Sequence, residues 1–276
     1  MKEFSGRVAA ITGAGSGIGR ALALDLAQRG AHLALADIDE AGLAETVGQC
    51  EGFAIKVTSQ KLDVADRAAV YAWADQVVED HGKVNLIFNN AGVAVAATIE
   101  TMSYEDFEWL MNINFWGVVY GTKAFLPHLK AAGEGHIINV SSVFGLISIP
   151  SQSAYNAAKF AVRGFTDALR MELDIDGAGV SSTTIHPGGI KTNIARNARM
   201  NESVAPNPGD VEKAHKEFDR VLFTTPAKAA RQILAAVESN QRRALIGPDA
   251  KVFDLISRLP AALYQRVLIA GGKRRL

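Results

Sequence analysis

Thr12-Gly13-Ala14-Gly15-Ser16-Gly17-Ile18-Gly19 decides the fold of this chain, because it stands between a short apolar run and a helical repeat. Residues 7–11 read as a buried strand, and Ile18, Leu22 and Leu26 recur at helical spacing. Glycines at such a turn allow positive φ and a close approach of the backbone to a ligand. Because free N–H groups at a helix start favour negative charge, the loop predicts a site for dinucleotide phosphates. A flexible turn is the alternative, since the loop departs from the usual Gly-x-Gly-x-x-Gly spacing.

Short β-rich runs alternate with helical patterns over the rest of the chain. This order is typical of βαβ units, and it predicts an α/β fold with a doubly wound parallel sheet and helices on both faces. Functional residues are then expected beyond the carboxyl ends of the strands. The predicted strands after the first are Leu33–Ala36, Ile55–Lys61, Val84–Phe88, His136–Val140 and Val180–Ile185.

Composition excludes several classes of protein. The chain has 276 residues and a formal net charge of zero, and its first 225 residues contain no run of like charges, so a nucleic-acid surface is not expected. Cys50 is the single cysteine, which excludes an intramolecular disulfide and fits a reducing, cytoplasmic location. Residues 1–6 lack an apolar signal core and no apolar run approaches membrane-spanning length, so a soluble protein is expected. The six histidines are scattered, and no metal site is predicted.

Asp37 closes the second predicted strand, roughly 20 residues beyond the glycine loop. A carboxylate there can accept hydrogen bonds from an adenosine ribose. The carboxylate would repel a phosphate on the 2′-hydroxyl of the ribose. Positions 16 and 38 carry Ser and Ile, so no Arg or Lys there offsets this repulsion. NAD is therefore predicted in preference to NADP. The alternative role for Asp37 is to cap the next helix, which Asp39 could also do.

Further motifs follow at characteristic spacing: Asp63-Val64, Asn89-Asn90-Ala91-Gly92, Ser142, Tyr155-Asn156-Ala157-Ala158-Lys159, and Pro187-Gly188 followed by Thr192. Together with Thr12, Gly13, Gly17 and Gly19, they resemble the short-chain dehydrogenase/reductase family from about Phe4 to Leu245. The resemblance implies one Rossmann-like domain over residues 1–276 and a homotetramer or homodimer.

The resemblance also implies specific roles. Asp63 and Val64 would contact adenine, Pro187 to Thr192 would hold the nicotinamide carboxamide, and Asn114 would hold a water that relays protons. The candidate cofactor-binding residues are Gly13, Ser16, Gly17, Ile18, Gly19, Asp37, Asp63, Val64, Asn90, Tyr155, Lys159, Pro187, Gly188, Ile190 and Thr192.

Tyr155 and Lys159 are four residues apart and therefore lie on one side of a helix. A nearby ammonium and an oxidised nicotinamide would lower the pKa of the phenol, so Tyr155 is the candidate general acid/base. Ser142 would hydrogen-bond the substrate oxygen, with Ser141 as the weaker candidate. Each residue alone has a structural alternative: Tyr155 could be a core aromatic, Lys159 a solvated helix residue and Ser142 a turn former.

The predicted activity is NAD-dependent hydride transfer between a nicotinamide and a secondary alcohol or ketone. An NADP-preferring carbonyl reductase and a cofactor-sensing regulator without turnover are the alternatives. Apolar residues near the expected hydride site favour a hydrophobic substrate: Val93, Val95, Val143, Phe144, Leu146, Ile149 and Pro150. Basic anchors for a charged substrate are limited to Lys191 and Arg196.

Two segments lack strong motifs. Residues 189–225 are interpreted as a substrate lid, although a solvated loop is the alternative for residues 197–210. Residues 226–276 carry ten Lys/Arg and three Asp/Glu, and within them residues 249–276 read as a basic amphipathic extension. This extension could cover the pocket, join subunits or rest on an anionic membrane, and peripheral membrane contact is the less favoured of these.

Overall fold

The computed structural model of the protein describes residues 3–205, 207, 209, 210, 212, 216 and 222–273. Within that part of the chain, one sheet has seven strands, all paired in parallel. They are β1 Val8–Thr12, β2 His32–Asp37, β3 Val57–Lys61, β4 Leu86–Asn89, β6 Gly135–Val140, β7 Val180–Pro187 and β9 Arg243–Ile246. Their order across the sheet is β3-β2-β1-β4-β6-β7-β9.

The α-helices fill the connections between the strands and follow the last of them. They are α1 Gly17–Gln28, α2 Glu40–Cys50, α3 Arg67–His81, α4 Tyr104–Met111, α5 Gly117–Ala131, α6 Ser153–Asp176, α7 Pro226–Glu238, α8 Pro248–Ile256 and α9 Ala261–Lys273.

Alternate side chains of the central strands pack into two separate cores. On β1, Ala9 and Ile11 contact a cluster that includes residues of α1 and α7, whereas Val8 and Ala10 contact residues of α3, α5 and α6. Burial on both faces explains why the strands read as nearly continuous apolar runs. The predicted doubly wound fold is confirmed by this arrangement.

The strand order reverses direction between β1 and β4, which both end beside the glycine loop. In parallel α/β sheets, ligands bind in the crevice that opens at such a point. The strands after β1 that the sequence predicted occur with shifts of two residues or fewer at either end. The sequence pattern did not predict β9. It also did not predict two short strands, β5 Val95–Ala96 and β8 Arg199–Met200, which pair to form a second small sheet.

None of the helices in the described part of the chain is both long and apolar enough to cross a membrane.

Candidate active site

The glycine loop makes the sharp turn from β1 into α1. Gly13 and Gly17 have φ values of 66° and 53°, in the left-handed region that favours glycine. A Cβ added to Gly19 would lie only 2.0 Å from the carbonyl oxygen of Gly13. Side chains at Gly13 and Gly17 would strain the turn, and a side chain at Gly19 would collide with it. Because all three are glycines, the backbone of the loop stays open to a ligand.

Hydrogen bonds of Asn90 and Thr12 stabilise this loop. The Thr12 hydroxyl accepts hydrogen bonds from the backbone N–H groups of Asn90, at 3.0 Å, and Ala91, at 3.1 Å. The Asn90 amide donates to the carbonyl oxygens of Thr12 and Gly13, at 3.0 and 3.2 Å. Asn90, a candidate cofactor residue, therefore also fixes the shape of the loop.

The first turn of α1 faces the crevice with its free backbone donors. Ser16 is the N-cap residue, and its exposed side chain makes no capping hydrogen bond. Gly17, Ile18 and Gly19 follow, and this turn contains no acidic residue. The helix start therefore suits the negative charge of a pyrophosphate.

Asp37 lies across the loop at the end of β2. Its carboxylate accepts hydrogen bonds from the backbone N–H of Gly15, at 2.7 Å, and of Asp39, at 2.9 Å. Asp39 is the residue that caps α2, by accepting from the N–H of Gly42 at 3.1 Å. Asp37 is thus not the helix cap, and it lies beside the loop that would bind phosphate.

Asp63 and Val64 follow β3 at the same edge of the sheet. The exposed Asp63 accepts a hydrogen bond from the N–H of Ala65 at 2.9 Å, which shapes the local turn. Val64 is buried, and its side chain packs against the backbone of Gly117, where an added Cβ would approach it to 2.9 Å.

The segment from Pro187 to Thr192 leaves β7 and passes the glycine loop. The Thr192 methyl lies 3.0 Å from the position of a Cβ added to Gly17. Ile190 is buried in the core, so its backbone is the part that could face a ligand. Gly188 donates its N–H to the carbonyl of Ile246 in the neighbouring strand, at 2.9 Å.

Ser142 and Tyr155 meet beyond the end of β6. The Ser142 hydroxyl accepts from the N–H of Phe144 at 3.1 Å, and Ser142 is the side chain whose hydrogen bonding lowers the pKa of Tyr155. Phe144 packs edge-on against the Tyr155 ring, with centroids 6.2 Å apart. The weaker candidate, Ser141, has a structural role instead, because its hydroxyl donates to the carbonyl of Lys159 at 2.7 Å.

Lys159 and Asn114 complete the cluster. The Lys159 ammonium is 5.5 Å from the centroid of the Tyr155 ring and donates to the carbonyl of Val140 at 3.0 Å. Asn114 is fully buried and forms two hydrogen bonds with the backbone of Val93, at 2.8 and 2.9 Å. It lies on a single π-helical turn, residues 112–116, between α4 and α5. Such turns frequently occur at functional sites.

The pKa values of the pair differ from the sequence expectation. Burial raises the pKa of Tyr155 to about 12, and the hydrogen bond with Ser142 opposes this shift. Burial lowers the pKa of Lys159 to about 8. Both shifts favour the neutral forms, because desolvation penalises either charge. The pKa of the phenol is therefore raised in the protein alone, and Ser142, not Lys159 as the sequence predicted, is the group that opposes this rise.

Comparison with known proteins identifies the family. The family model for short chain dehydrogenases matches residues 7–203. The protein SadH of Mycobacterium tuberculosis, named as an oxidoreductase, is 49% identical over 273 residues, covering 98% of this chain and 97% of its own. The chain belongs to the short-chain dehydrogenase family. It is therefore an oxidoreductase that uses a nicotinamide cofactor.

Two further similarities concern ligands. Estradiol 17-beta-dehydrogenase 11 of Macaca fascicularis is 34% identical over 211 residues, covering 76% of this short-chain dehydrogenase and 70% of that protein. The crystal structure of a short-chain dehydrogenase/reductase from Burkholderia phymatum in complex with NAD matches with a TM-score of 0.83 and 35% identity, covering 91% of this chain and 92% of that one.

Sequence reasoning missed two residues that shape the site of this dehydrogenase. His186, on β7, is buried, and its Nδ1 donates to the carbonyl of Ser142 at 2.7 Å. Asp249 lies in the first turn of α8, and its carboxylate accepts from the N–H of Gly189 at 2.5 Å. The position of His186 directly before Pro187 could have indicated its place in the site. Nothing in the sequence pattern linked Asp249 to Gly189.

The apolar residues expected near the hydride site divide into two groups. Val95, Val143 and Leu146 are buried. The remaining four keep some exposed surface: Val93, Phe144, Ile149 and Pro150.

Proposed function

We propose that this short-chain dehydrogenase transfers a hydride between NAD and a hydrophobic secondary alcohol or the matching ketone. The observation that carries the proposal is the pairing of Ser142 with Tyr155 at the end of β6, with Lys159 behind the phenol ring. One hydroxyl can bind a substrate oxygen while the other exchanges its proton, as interconversion of an alcohol and a carbonyl requires.

Tyr155 acts as general acid/base in this proposal. It removes the hydroxyl proton of an alcohol, or gives the proton to a ketone oxygen in the reverse direction. Bound NAD would supply C4 of the nicotinamide as the hydride acceptor, together with a positive charge that opposes the burial effect on the phenol pKa. Ser142 donates a hydrogen bond to the substrate oxygen, and Asn114 holds a water that relays protons between Lys159 and solvent.

The residues around the glycine loop fit a dinucleotide. Gly13, Gly17 and Gly19 leave room where side chains would fill the turn, and the start of α1 provides unpaired backbone donors. Asp37 supports a preference for NAD, because its carboxylate stands beside Gly15, where a 2′-phosphate would be repelled.

The apolar partly exposed residues beside Tyr155 support a hydrophobic substrate. Phe144 contacts the catalytic ring directly, and Val93 lies next to Asn114. The resemblance to an estradiol dehydrogenase agrees with an apolar alcohol, since sterols expose few polar groups.

Residues 189–225 are proposed as the substrate lid of a single domain spanning residues 1–276. In the described part of this segment, β8 pairs with β5, and Arg199 lies 3.6 Å from the centroid of the Trp109 ring while forming an ion pair with Asp106 at 2.8 Å. These contacts join the lid to α4. The rest of the lid prediction, at residues 206, 208, 211, 213–215 and 217–221, lies outside the described residues.

A homodimer or homotetramer is proposed for the assembly. Trp116 on the π-helical turn is 44% exposed, and it stacks on Tyr120 with centroids 5.8 Å apart. Exposed aromatic residues of this kind are typical of subunit interfaces.

The test is an assay of nicotinamide reduction with NAD and a panel of apolar secondary alcohols. Tyr155→Phe removes only the phenolic hydroxyl, and we expect it to lower kcat/KM by about 100- to 10,000-fold with little change in NAD affinity. The matched control is Tyr71→Phe, on the partly exposed face of α3. Equal rates for Tyr155→Phe and the wild type would contradict the role of Tyr155.

Cofactor preference is tested in the same assay with NADP. We expect wild-type activity to favour NAD, and Asp37→Ala to reduce that preference because the repelling charge is lost. A wild-type preference for NADP would contradict the role assigned to Asp37.

A further inference from the structure

The C-terminal helices α8 and α9 leave a row of large apolar side chains exposed. Each of them is between 42% and 67% exposed. Val252 and Leu255 are three residues apart on α8, and Leu263 and Val267 are four apart on α9, so each pair shares one face of its helix, while Leu259 lies in the turn between them. This C-terminal apolar surface comprises Val252, Leu255, Leu259, Leu263 and Val267.

Helix α9 does not cover a pocket of its own chain. From residue 261 to residue 270, only Tyr264 and Leu268 are partly buried, and the other side chains are exposed. Helix α8 is anchored more firmly, because Asp254 is buried and pairs with Arg243 at 3.3 Å and with Arg258 at 2.8 Å. The apolar surface is therefore held on the protein but faces outward.

Positive charge accompanies this surface. Residues 252–276 contain five Lys/Arg and one acidic residue, Asp254, although the whole chain has a formal net charge of zero. Arg266 lies on α9 and Arg258, which pairs with Asp254, lies in the turn before it, and the sequence adds Lys273, Arg274 and Arg275. Apolar residues combined with an excess of cations are typical of helices that lie in the interface of an anionic bilayer.

The same charge argues against a second copy of this chain as the partner. A two-fold interface brings the same surface of each subunit together, so it would bring two surfaces with an excess of positive charge close to each other. Like charges placed in contact disfavour association, whereas anionic lipid headgroups would neutralise them.

We propose that the C-terminal apolar surface binds peripherally to membranes containing anionic lipid. The apolar side chains enter the headgroup boundary and the Lys and Arg side chains contact anionic headgroups. This assignment reverses the preference drawn from the sequence, because the exposed side chains of α9 do not act as a pocket cover. It is independent of the catalytic proposal, since none of the residues assigned to this surface has a role in that proposal.

The test is flotation of the full-length protein with vesicles. Vesicles of phosphatidylcholine alone are compared with vesicles that also contain phosphatidylserine, at low and high salt. We expect binding only with phosphatidylserine, weakened by salt, and reduced at least about tenfold in the double variant Leu263→Glu/Val267→Glu. Ile175→Glu is the control, because Ile175 is an 86% exposed isoleucine on α6, outside this surface. Circular dichroism and nicotinamide reduction check that each variant is folded.

Three results would overturn the proposal. The first is absence of binding to phosphatidylserine vesicles at low salt, and the second is equal binding by the double variant and the wild type. The third is concentration-dependent self-association of the wild type, measured by analytical ultracentrifugation, that is lost in the double variant while neither protein binds vesicles. That result would make the surface a subunit interface.

Discussion

At the scale of single residues, the pKa shifts show how the catalytic pair depends on its surroundings. Burial raises the pKa of Tyr155 to about 12 and lowers that of Lys159 to about 8, so both groups are held toward neutrality. The hydrogen bond from Ser142 acts in the opposite direction on the phenol. The position of Ser142 is therefore important both for the substrate oxygen and for Tyr155.

His186 is predicted to hold Ser142 in place. Its Nδ1 must carry the proton, since a carbonyl oxygen can only accept, and burial lowers the pKa of the ring to about 4, so it stays neutral near pH 7. We expect His186→Leu to reduce kcat by up to about 100-fold, because misplacement of a catalytic group by about 1 Å can have that effect. Measured NAD affinity should be unchanged.

His186→Asn is the matched control for this prediction. The asparagine amide can donate a hydrogen bond from nearly the same place as Nδ1, so kcat should recover at least partly. A leucine variant that keeps full kcat, or an asparagine variant as impaired as leucine, would show that the hydrogen bond does not position Ser142.

At the scale of elements, α8 supports the segment that follows β7. Asp249 accepts the N–H of Gly189, and a Cβ added to Gly188 would clash with the same carboxylate, at 2.1 Å. We expect Asp249→Ala to weaken NAD binding by about 1 kcal/mol, roughly fivefold in Kd, because the acceptor for a partly buried N–H is lost. Titration of each variant with NAD measures this change.

Two variants control for a general effect on α8. Asp249→Asn retains an acceptor oxygen and should bind NAD nearly as well as the wild type, and Lys251→Ala changes an exposed residue of the same helix. If Asp249→Ala binds NAD with unchanged Kd while remaining folded, α8 does not contribute to the cofactor site.

The same elements show why the sequence predicted some parts of the structure and not others. Strands such as β1 and β6 are buried on both faces, and this produces apolar runs that can be read directly. In β9 only Ala244 and Ile246 are buried, and two-residue strands such as β5 and β8 have no periodicity to detect. The contact of Asp249 with Gly189 joins residues 60 positions apart, which local spacing cannot indicate.

At the scale of the whole molecule, buried histidines are predicted to make stability depend on pH. Burial lowers the pKa of His136 to about 3 and that of His186 to about 4, whereas the unfolded values lie near 6.5. Below about pH 6.5 the unfolded chain binds protons that the folded protein excludes, so the free energy of unfolding falls as the pH falls. Each histidine contributes a slope approaching about 1.4 kcal/mol per pH unit.

Urea unfolding between about pH 7.5 and pH 5 measures this dependence before most carboxylates titrate. His136→Gln keeps a possible donor to Thr183 but cannot take up a proton, so its stability should vary less with pH than that of the wild type. A wild-type free energy of unfolding that stays constant over this range would contradict the prediction.

The measurement that tests the central claim most directly follows the transferred hydrogen itself. An apolar secondary alcohol with deuterium on its carbinol carbon is incubated with the wild-type protein and NAD, and the reduced nicotinamide is analysed by mass spectrometry and proton NMR. Our account predicts one deuterium at C4 of the nicotinamide and none released to water. Ketone formation with unlabelled reduced cofactor would contradict direct hydride transfer at this site.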